Sequence, residues 1–267
     1  MMSVVAYFGD KTPRELGFGT FRKTDRPILS STVDRTAAVP YMPGAYDFGA
    51  DLGPKPFNIE CAFVARNSIQ LQERVSAFAA YLLDGFGRPR TMPLIFSAQP
   101  DRQYMVRYSG SLPIDRVAGF GPFMLPLIAH DPYAYSIYDL DEIDVDSLIP
   151  VDMDVSVDLA STYSVTGPMA IPFTNFGTLN GAPVLQISGA FSYLSITIGG
   201  VETIYNTALS GTLVLDFARK TARVGSTNVL RNTNRRFGAL PVGDSIIVVN
   251  GSGINCSLSI GLHAKYA

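Results

Sequence analysis

The stretch "QPDRQYMVR", residues 99–107, holds a carboxylate, two guanidinium groups and a phenol within seven positions. Asp101, Arg102, Tyr104 and Arg107 could together move a proton or bind a charged group. The same residues could instead form the tip and flank of a hairpin gripped by another subunit. Pro100 fixes its own φ and Asp101 can bond the backbone ahead of it, so Gln99-Pro100-Asp101-Arg102 reads as a turn. Leu94-Ile95-Phe96 precedes it. Tyr104, Val106 and Tyr108 then alternate with Met105, Arg107 and Ser109, the period of a strand.

Other reactive residue types do not gather into sites. His130 and His263 lie at opposite ends of the chain, with no Cys or His at ligand spacing, so no metal site is expected. A Ser-His-Asp arrangement on a nucleophile elbow needs G-x-S-x-G, and that motif is lacking. Gly17-Phe18-Gly19 and Gly85-Phe86-Gly87 are fragments of glycine-rich loops that do not continue into a phosphate-binding motif, so they read as turns. Carboxylates cluster between residues 139 and 158, where a linker is expected rather than a glycosidase cleft. The residues thus imply no enzyme, no cofactor and no metal. Cys61 and Cys256 lie far apart on strand-like runs and read as buried reduced thiols.

The charges nearly cancel, at a formal net of -2 over 267 residues. Without a basic excess, nucleic acid is not expected as a main partner. Low charge with 13 Tyr and 16 Phe leaves much uncharged surface, which is often covered by other subunits. No run reaches the roughly 18 apolar residues of a membrane span. The N-terminus lacks a basic start before a long apolar core, so no signal peptide is expected, and folding in a cytoplasm is.

The elements that must position these residues are mostly strands. Residues 1 to about 60 are rich in Gly and Pro, and "YMPGAYDFG" (41–49) reads as a turn-rich connector with three aromatics. Phe57, Ile59, Cys61 and Phe63 alternate with Asn58, Glu60 and Ala62 in a strand. Leu71, Val75, Phe78 and Leu82 follow at helical spacing behind an Asn67 cap. Gly85 is expected to end that helix in a left-handed conformation. Phe120–Ala129 reads as a strand at an edge or irregular, because Pro122 and Pro126 cannot donate to a ladder. Asp139, Asp141, Glu142, Asp144, Asp146, Asp152, Asp154 and Asp158 then occur without an intervening Lys or Arg. They alternate partly with apolar residues, as acidic linker or edge strands would.

From Pro168 the chain reads as a second all-β unit. Strands are expected at 169–173, 182–188, 193–198, 212–216, 221–224, 244–249 and 256–262, with turns at Asn180-Gly181, Gly199-Gly200 and Asn250-Gly251. Leu185, Ile187, Ile196, Ile198, Leu213, Leu215, Ile246, Val248, Leu258 and Ile260 should form its core, with Phe191 and Phe217. Tyr163, Phe176, Phe191, Tyr193, Tyr205 and Phe237 are the aromatics a sugar could meet, although an aromatic on an alternating strand is usually core. The domains are therefore 1–138, an acidic linker with edge strands at 139–160, and a C-terminal sandwich at 161–267. The fold class is mainly β, with one α-helix in the first domain and a β-sandwich or jelly roll in the second.

Taken in order, "PGAYDFG", "FNIECAFVA", "SIQLQERVSAFAAYLL", "MPLIFSAQPDRQYMVRYSG" and "AHDPYAYS" resemble the distal tail protein family of long-tailed, non-contractile (siphovirus-type) bacteriophages. "FTNFGTLNGAPVLQISG", "GTLVLDFARKTARVGSTN" and "FGALPVGDSIIVVNGSG" are similar to that family's C-terminal sandwich, with one residue inserted in the turn at Leu240-Pro241-Val242-Gly243. The resemblance runs from about residue 26; residues 1–25 match less well. It implies a non-enzymatic virion structural protein of the baseplate or tail tip, assembled in the bacterial host cytoplasm. The N-terminal domain, a β-sandwich with one α-helix, would form a hexameric ring joining the tail tube protein to the tail-tip, tail-associated protein used in host adsorption. The C-terminal domain would be a galectin-like or carbohydrate-module-like β-sandwich. Receptor-binding proteins or host glycan would be further partners. Asp101, Arg102, Tyr104 and Arg107 would then be inter-subunit contacts. The alternative is a carbohydrate-binding module that contacts cell-wall glycan through the C-terminal sandwich.

Overall fold

A computed structural model describes residues 4–115, 119–137 and 162–267. The acidic linker expected at 139–160 lies outside the described residues. The described residues are mainly β with one long helix, and the chain divides into two compact units, residues 1–134 with the final residue, and 135–266.

The first unit contains β1 (Val5–Phe8), β2 (Phe18–Asp25), β3 (Thr32–Ala37), β4 (Tyr46–Leu52), β5 (Lys55–Val64), α1 (Ser68–Leu82), β6 (Thr91–Phe96), β7 (Gln99–Tyr108) and β8 (Phe120–Ala129). Its main sheet is antiparallel, in the order β1-β6-β7-β8-β5-β2. Strict alternation makes β5 its spine: Phe57, Ile59, Cys61 and Phe63 are buried. The sheet curls until its two ends meet. The Val4 N–H donates to Thr20 Oγ1 at 2.9 Å, and β1, β2, β5, β6 and β8 all line one interior void.

α1 lies across this core. Asn67 caps it by accepting the Gln70 N–H at 2.9 Å, and Gln70 Oε1 accepts the Arg66 N–H at 2.8 Å. Of the expected stripe, Leu71, Phe78 and Leu82 are buried and Val75 is half-buried. The helix stops at Leu83 in extended geometry, not at Gly85. Asp84 shapes the exit instead, accepting the Phe86 and Arg88 N–H groups at 2.9 and 2.8 Å, while Gly87 takes the left-handed turn at φ 76°.

β8 is an interior strand of the sheet, contrary to the edge position expected from its prolines. Its second side, however, pairs with β7 only at Leu127 and Ile128. The Pro122 and Pro126 carbonyls point to that side, accepting from Asp115 and Ser109 N–H groups. In an antiparallel strand the N–H and C=O of one residue share a side. Both missing N–H groups therefore fall where the ladder is open, and β5 keeps its full pairing with β8.

A short strand, β9 (Ala134–Ser136), stands at the junction. The second unit then has β10 (Thr162–Val165), β11 (Met169–Asn175), β12 (Val184–Phe191), β13 (Tyr193–Ile198), β14 (Val201–Tyr205), β15 (Leu209–Asp216), β16 (Thr221–Val224), β17 (Thr227–Asn228), β18 (Gly243–Ser252), β19 (Asn255–Gly261) and β20 (Lys265–Tyr266). The sheets β10-β19-β12-β15-β16-β17 and β11-β18-β13-β14 share one buried apolar cluster, a β-sandwich.

Two expectations shift by register here. Ile247 and Val249 are buried, whereas Ile246 is 61 % exposed and Val248 half-buried. The run Ile246-Ile247-Val248-Val249 has no alternation, so its sequence does not say which parity faces inward. Asn250-Gly251 continues β18 rather than turning. Gly199-Gly200 does turn, with φ 56° and 77°, linking β13 to β14, a strand not expected from the sequence. Cys61 and Cys256 are both buried free thiols.

Candidate assembly surface

The β6–β7 hairpin exists, but its turn is Ser97-Ala98 rather than Gln99–Arg102. Phe96 pairs with Gln99 and Ile95 with Gln103, so Pro100, Asp101 and Arg102 form a bulge out of the ladder. Proline cannot supply a ladder N–H, and a bulge is where a strand tolerates it. Arg102 Nε donates to Asp101 Oδ2 at 2.9 Å, with the two side chains 29 % and 26 % exposed. The acid and base of the sequence motif thus pair with each other in a partly buried bulge.

The phenol is elsewhere. Tyr104 is buried and packs edge-on against Phe57 at 5.0 Å. It offers a partner almost no surface. Arg107 lies on the opposite, exposed face of β7 with Met105. Alternation along the strand separates the two, so the four expected residues do not form one cluster.

The bulge adjoins a feature the sequence reading missed. β3 and β4 form a separate two-stranded arm whose residues are exposed throughout, except half-buried Leu52. The arm carries Val33, Tyr46 and Phe48, each more than half exposed, and Tyr41 at its tip. Beyond the β3–β4 ladder its side-chain bonds include Arg35 Nε donating to Asp51 Oδ2 at 2.8 Å and the Gly49 N–H donating to Asp47 Oδ1 at 2.8 Å. Its root is anchored on the bulge. Arg26 donates to Gln99 Oε1 and stacks 4.2 Å over the Phe96 ring. Buried Lys55 donates to the Ile28 carbonyl at 3.0 Å and sits 5.1 Å from the Tyr104 ring centre. Alternation of Tyr46 and Phe48 with Asp47 was the signal for a strand here; the Pro43-Gly44 turn obscured it.

Another acid–phenol–base grouping lies at the end of α1. Tyr81 Oη stands 2.8 Å from Asp10 Oδ1 and 2.7 Å from the Phe8 carbonyl, with Lys11 and Arg90 over its ring. The Tyr81 bond holds the Asp10 carboxyl below its ordinary range. Burial first, and Asp10 second, push the Tyr81 phenol up to about 12. A phenol so reluctant to ionise is a poor base or nucleophile, and the group serves to tie the helix to the β1–β2 loop. In the second unit, Phe191 and Tyr205 are core, Tyr163, Phe176 and Phe237 pack against it, and Tyr193 is 36 % exposed. These six therefore make no flat aromatic platform of the kind a sugar stacks on.

Comparison with known proteins agrees with this architecture. Residues 11–129 match the phage tail protein RIFT-related domain, spanning β2 through β8. The fold matches the crystal structure of SPP1 Dit, described as a paradigm of the hub adsorption apparatus in phages infecting Gram-positive bacteria. The TM-score is 0.67 at 12 % identity, covering 97 % of this chain and 98 % of that one. The phage P2 baseplate in its activated conformation with Ca overlaps at a TM-score of 0.41 and 6 % identity, covering 96 % and 93 %. No curated protein sequence matches the chain. Residues 11–129 thus match the phage tail protein RIFT-related domain, and the chain as a whole shares its fold with SPP1 Dit.

Proposed function

We propose that the chain is a distal tail protein, a non-enzymatic virion component whose first unit closes a ring of six copies. The ring joins the tail tube to the tail-tip protein used in host adsorption, and it assembles in the host cytoplasm. One observation carries this reading. The likeness to SPP1 Dit runs end to end in both chains, so it includes both units and not the tail domain alone. The bulge and arm give the first unit a projecting surface suited to a neighbour.

Within this reading Asp101, Arg102 and Arg107 contact the next subunit, and Tyr104 supports them from inside. Asp101→Ala/Arg102→Ala is expected to weaken ring formation about tenfold or more, the effect of losing roughly 1.4 kcal/mol or more at each interface. Its melting temperature should stay close to the parent's, because surface changes usually cost little in monomer stability. Sedimentation velocity across a concentration series checks both points with a parallel melt. Assembly equal to the parent's would remove the bulge from the interface.

A further inference from the structure

Resting on the ring reading above, we propose that the β3–β4 arm of one copy docks in the apolar groove between α1 and β8 of the next copy. The arm needs a cover. A two-stranded ribbon without a packed face is marginally stable in water, and this one leaves Val33, Tyr46 and Phe48 open to solvent. Exposed large apolar side chains on a ribbon with no packed face mark a candidate interaction site.

The same unit offers a socket. An open cavity of about 270 Å³ runs between α1 and β8, lined by Phe63, Val75, Ala79, Leu83, Ile114 and Phe123 among others. Its walls are almost wholly apolar, as the arm's side chains require. It has room for aromatic side chains.

The placement of knob and socket selects a second copy as the occupant. The arm joins β5 at Lys55, whereas Phe63 of the same strand lines the groove. Eight residues of extended chain put these points roughly 26 Å apart. The arm's exposure on both strands shows that it does not lie on its own body. One end of the unit therefore carries the projection and the other the recess. Copies joined in this way meet head to tail through two different surfaces, which closes a ring when the rotation permits. A twofold exchange of arms would also cover both surfaces, but it ends at two subunits, so the mass of the parent assembly separates it from the ring.

Two variants and their mixture test this. Tyr46→Asp/Phe48→Asp damages the arm and leaves the groove. Ala79→Glu damages the groove and leaves the arm; it places a good helix former at an exposed helix position. Far-UV circular dichroism and thermal melts verify that each is folded, with Phe48→Ser and Ala79→Gln as milder replacements if either is not. By native mass spectrometry the parent should form a closed ring and each variant alone should remain monomeric. The equimolar mixture should give a complex of two subunits, one of each variant, because one intact arm meets one intact groove. An arm variant that still forms the parent's ring would overturn the docking and leave the ring standing. Two monomeric variants that give no mixed dimer would also overturn it. A parent that is monomeric at every concentration would instead remove the ring reading, and the docking with it.

Discussion

Phe78→Ala is expected to destabilise the first unit by about 3–5 kcal/mol, the usual cost of deleting a buried Phe side chain. Phe78 is the contact through which α1 holds the curled sheet. Its ring lies 5.0 Å from Phe18, 5.7 Å from Phe63, 6.0 Å from Phe123 and 6.5 Å from Phe8. Those four rings come from β2, β5, β8 and β1, so the cavity left by truncation touches both ends of the sheet. Collapse into it would require four strands to move together, which places the cost toward the upper end of the range. Urea unfolding followed by circular dichroism gives the size, and hydrogen exchange should place the loss in residues 5–129. A cost below about 1 kcal/mol would mean that α1 does not seal this core.

The second unit has its own vulnerable point at Gly189 in β12. Its φ of 145° is one that side-chain-bearing residues rarely adopt. A Cβ there would stand 2.4 Å from the Asn255 carbonyl oxygen and 2.5 Å from Cys256 Cα, both backbone atoms of β19. Neither can swing aside as a side chain would. Gly189→Ala should therefore cost about 3 kcal/mol or more, backbone strain and overpacking together. Gly211, directly opposite in β15, is the matched control. Its φ of 150° is similar, but an added Cβ would meet nothing within 4 Å. Gly211→Ala should cost only the strain, about 1–2 kcal/mol. Faster amide exchange confined to β12, β15 and β19 in the Gly189 variant is the expected readout. Equal effects of the two substitutions would show that the close approach of β12 to β19 is not what requires glycine.

The parts of the fold legible in the sequence were those with a clean period. Leu71, Phe78 and Leu82 announce the helix, and Phe57, Ile59, Cys61 and Phe63 announce the spine of the first sheet, because one buried face imposes one spacing. Tyr193–Ile198 and Thr221–Val224 were bounded correctly by their flanking turn residues. Legibility failed where the period was ambiguous or the local chemistry had two uses. Four consecutive apolar residues in β18 do not reveal which pair faces inward. Pro-Asp serves a turn and a bulge equally well, and only pairing with β6 decides between them. The prolines of β8 did mark an open ladder, on one side of part of an interior strand.

The candidate surface was legible only in part, for a further reason. Asp101 and Arg102 read as the hairpin's turn, whereas they lie in the bulge that follows it, where proline and a charged pair are equally tolerated. Tyr104 was not recognisable as internal, since its burial depends on Phe57 and Phe96 reaching it from other strands. The arm has no core of its own to impose a pattern. Its aromatic residues alternate without a buried face, and the Gly and Pro around them read as connector.

The ring is the central claim, and native mass spectrometry of the purified full-length chain, with negative-stain images of the same sample, tests it most directly. The account predicts a species of six subunits that images as a closed ring. A monomer at every concentration, or a closed twofold dimer, would contradict it.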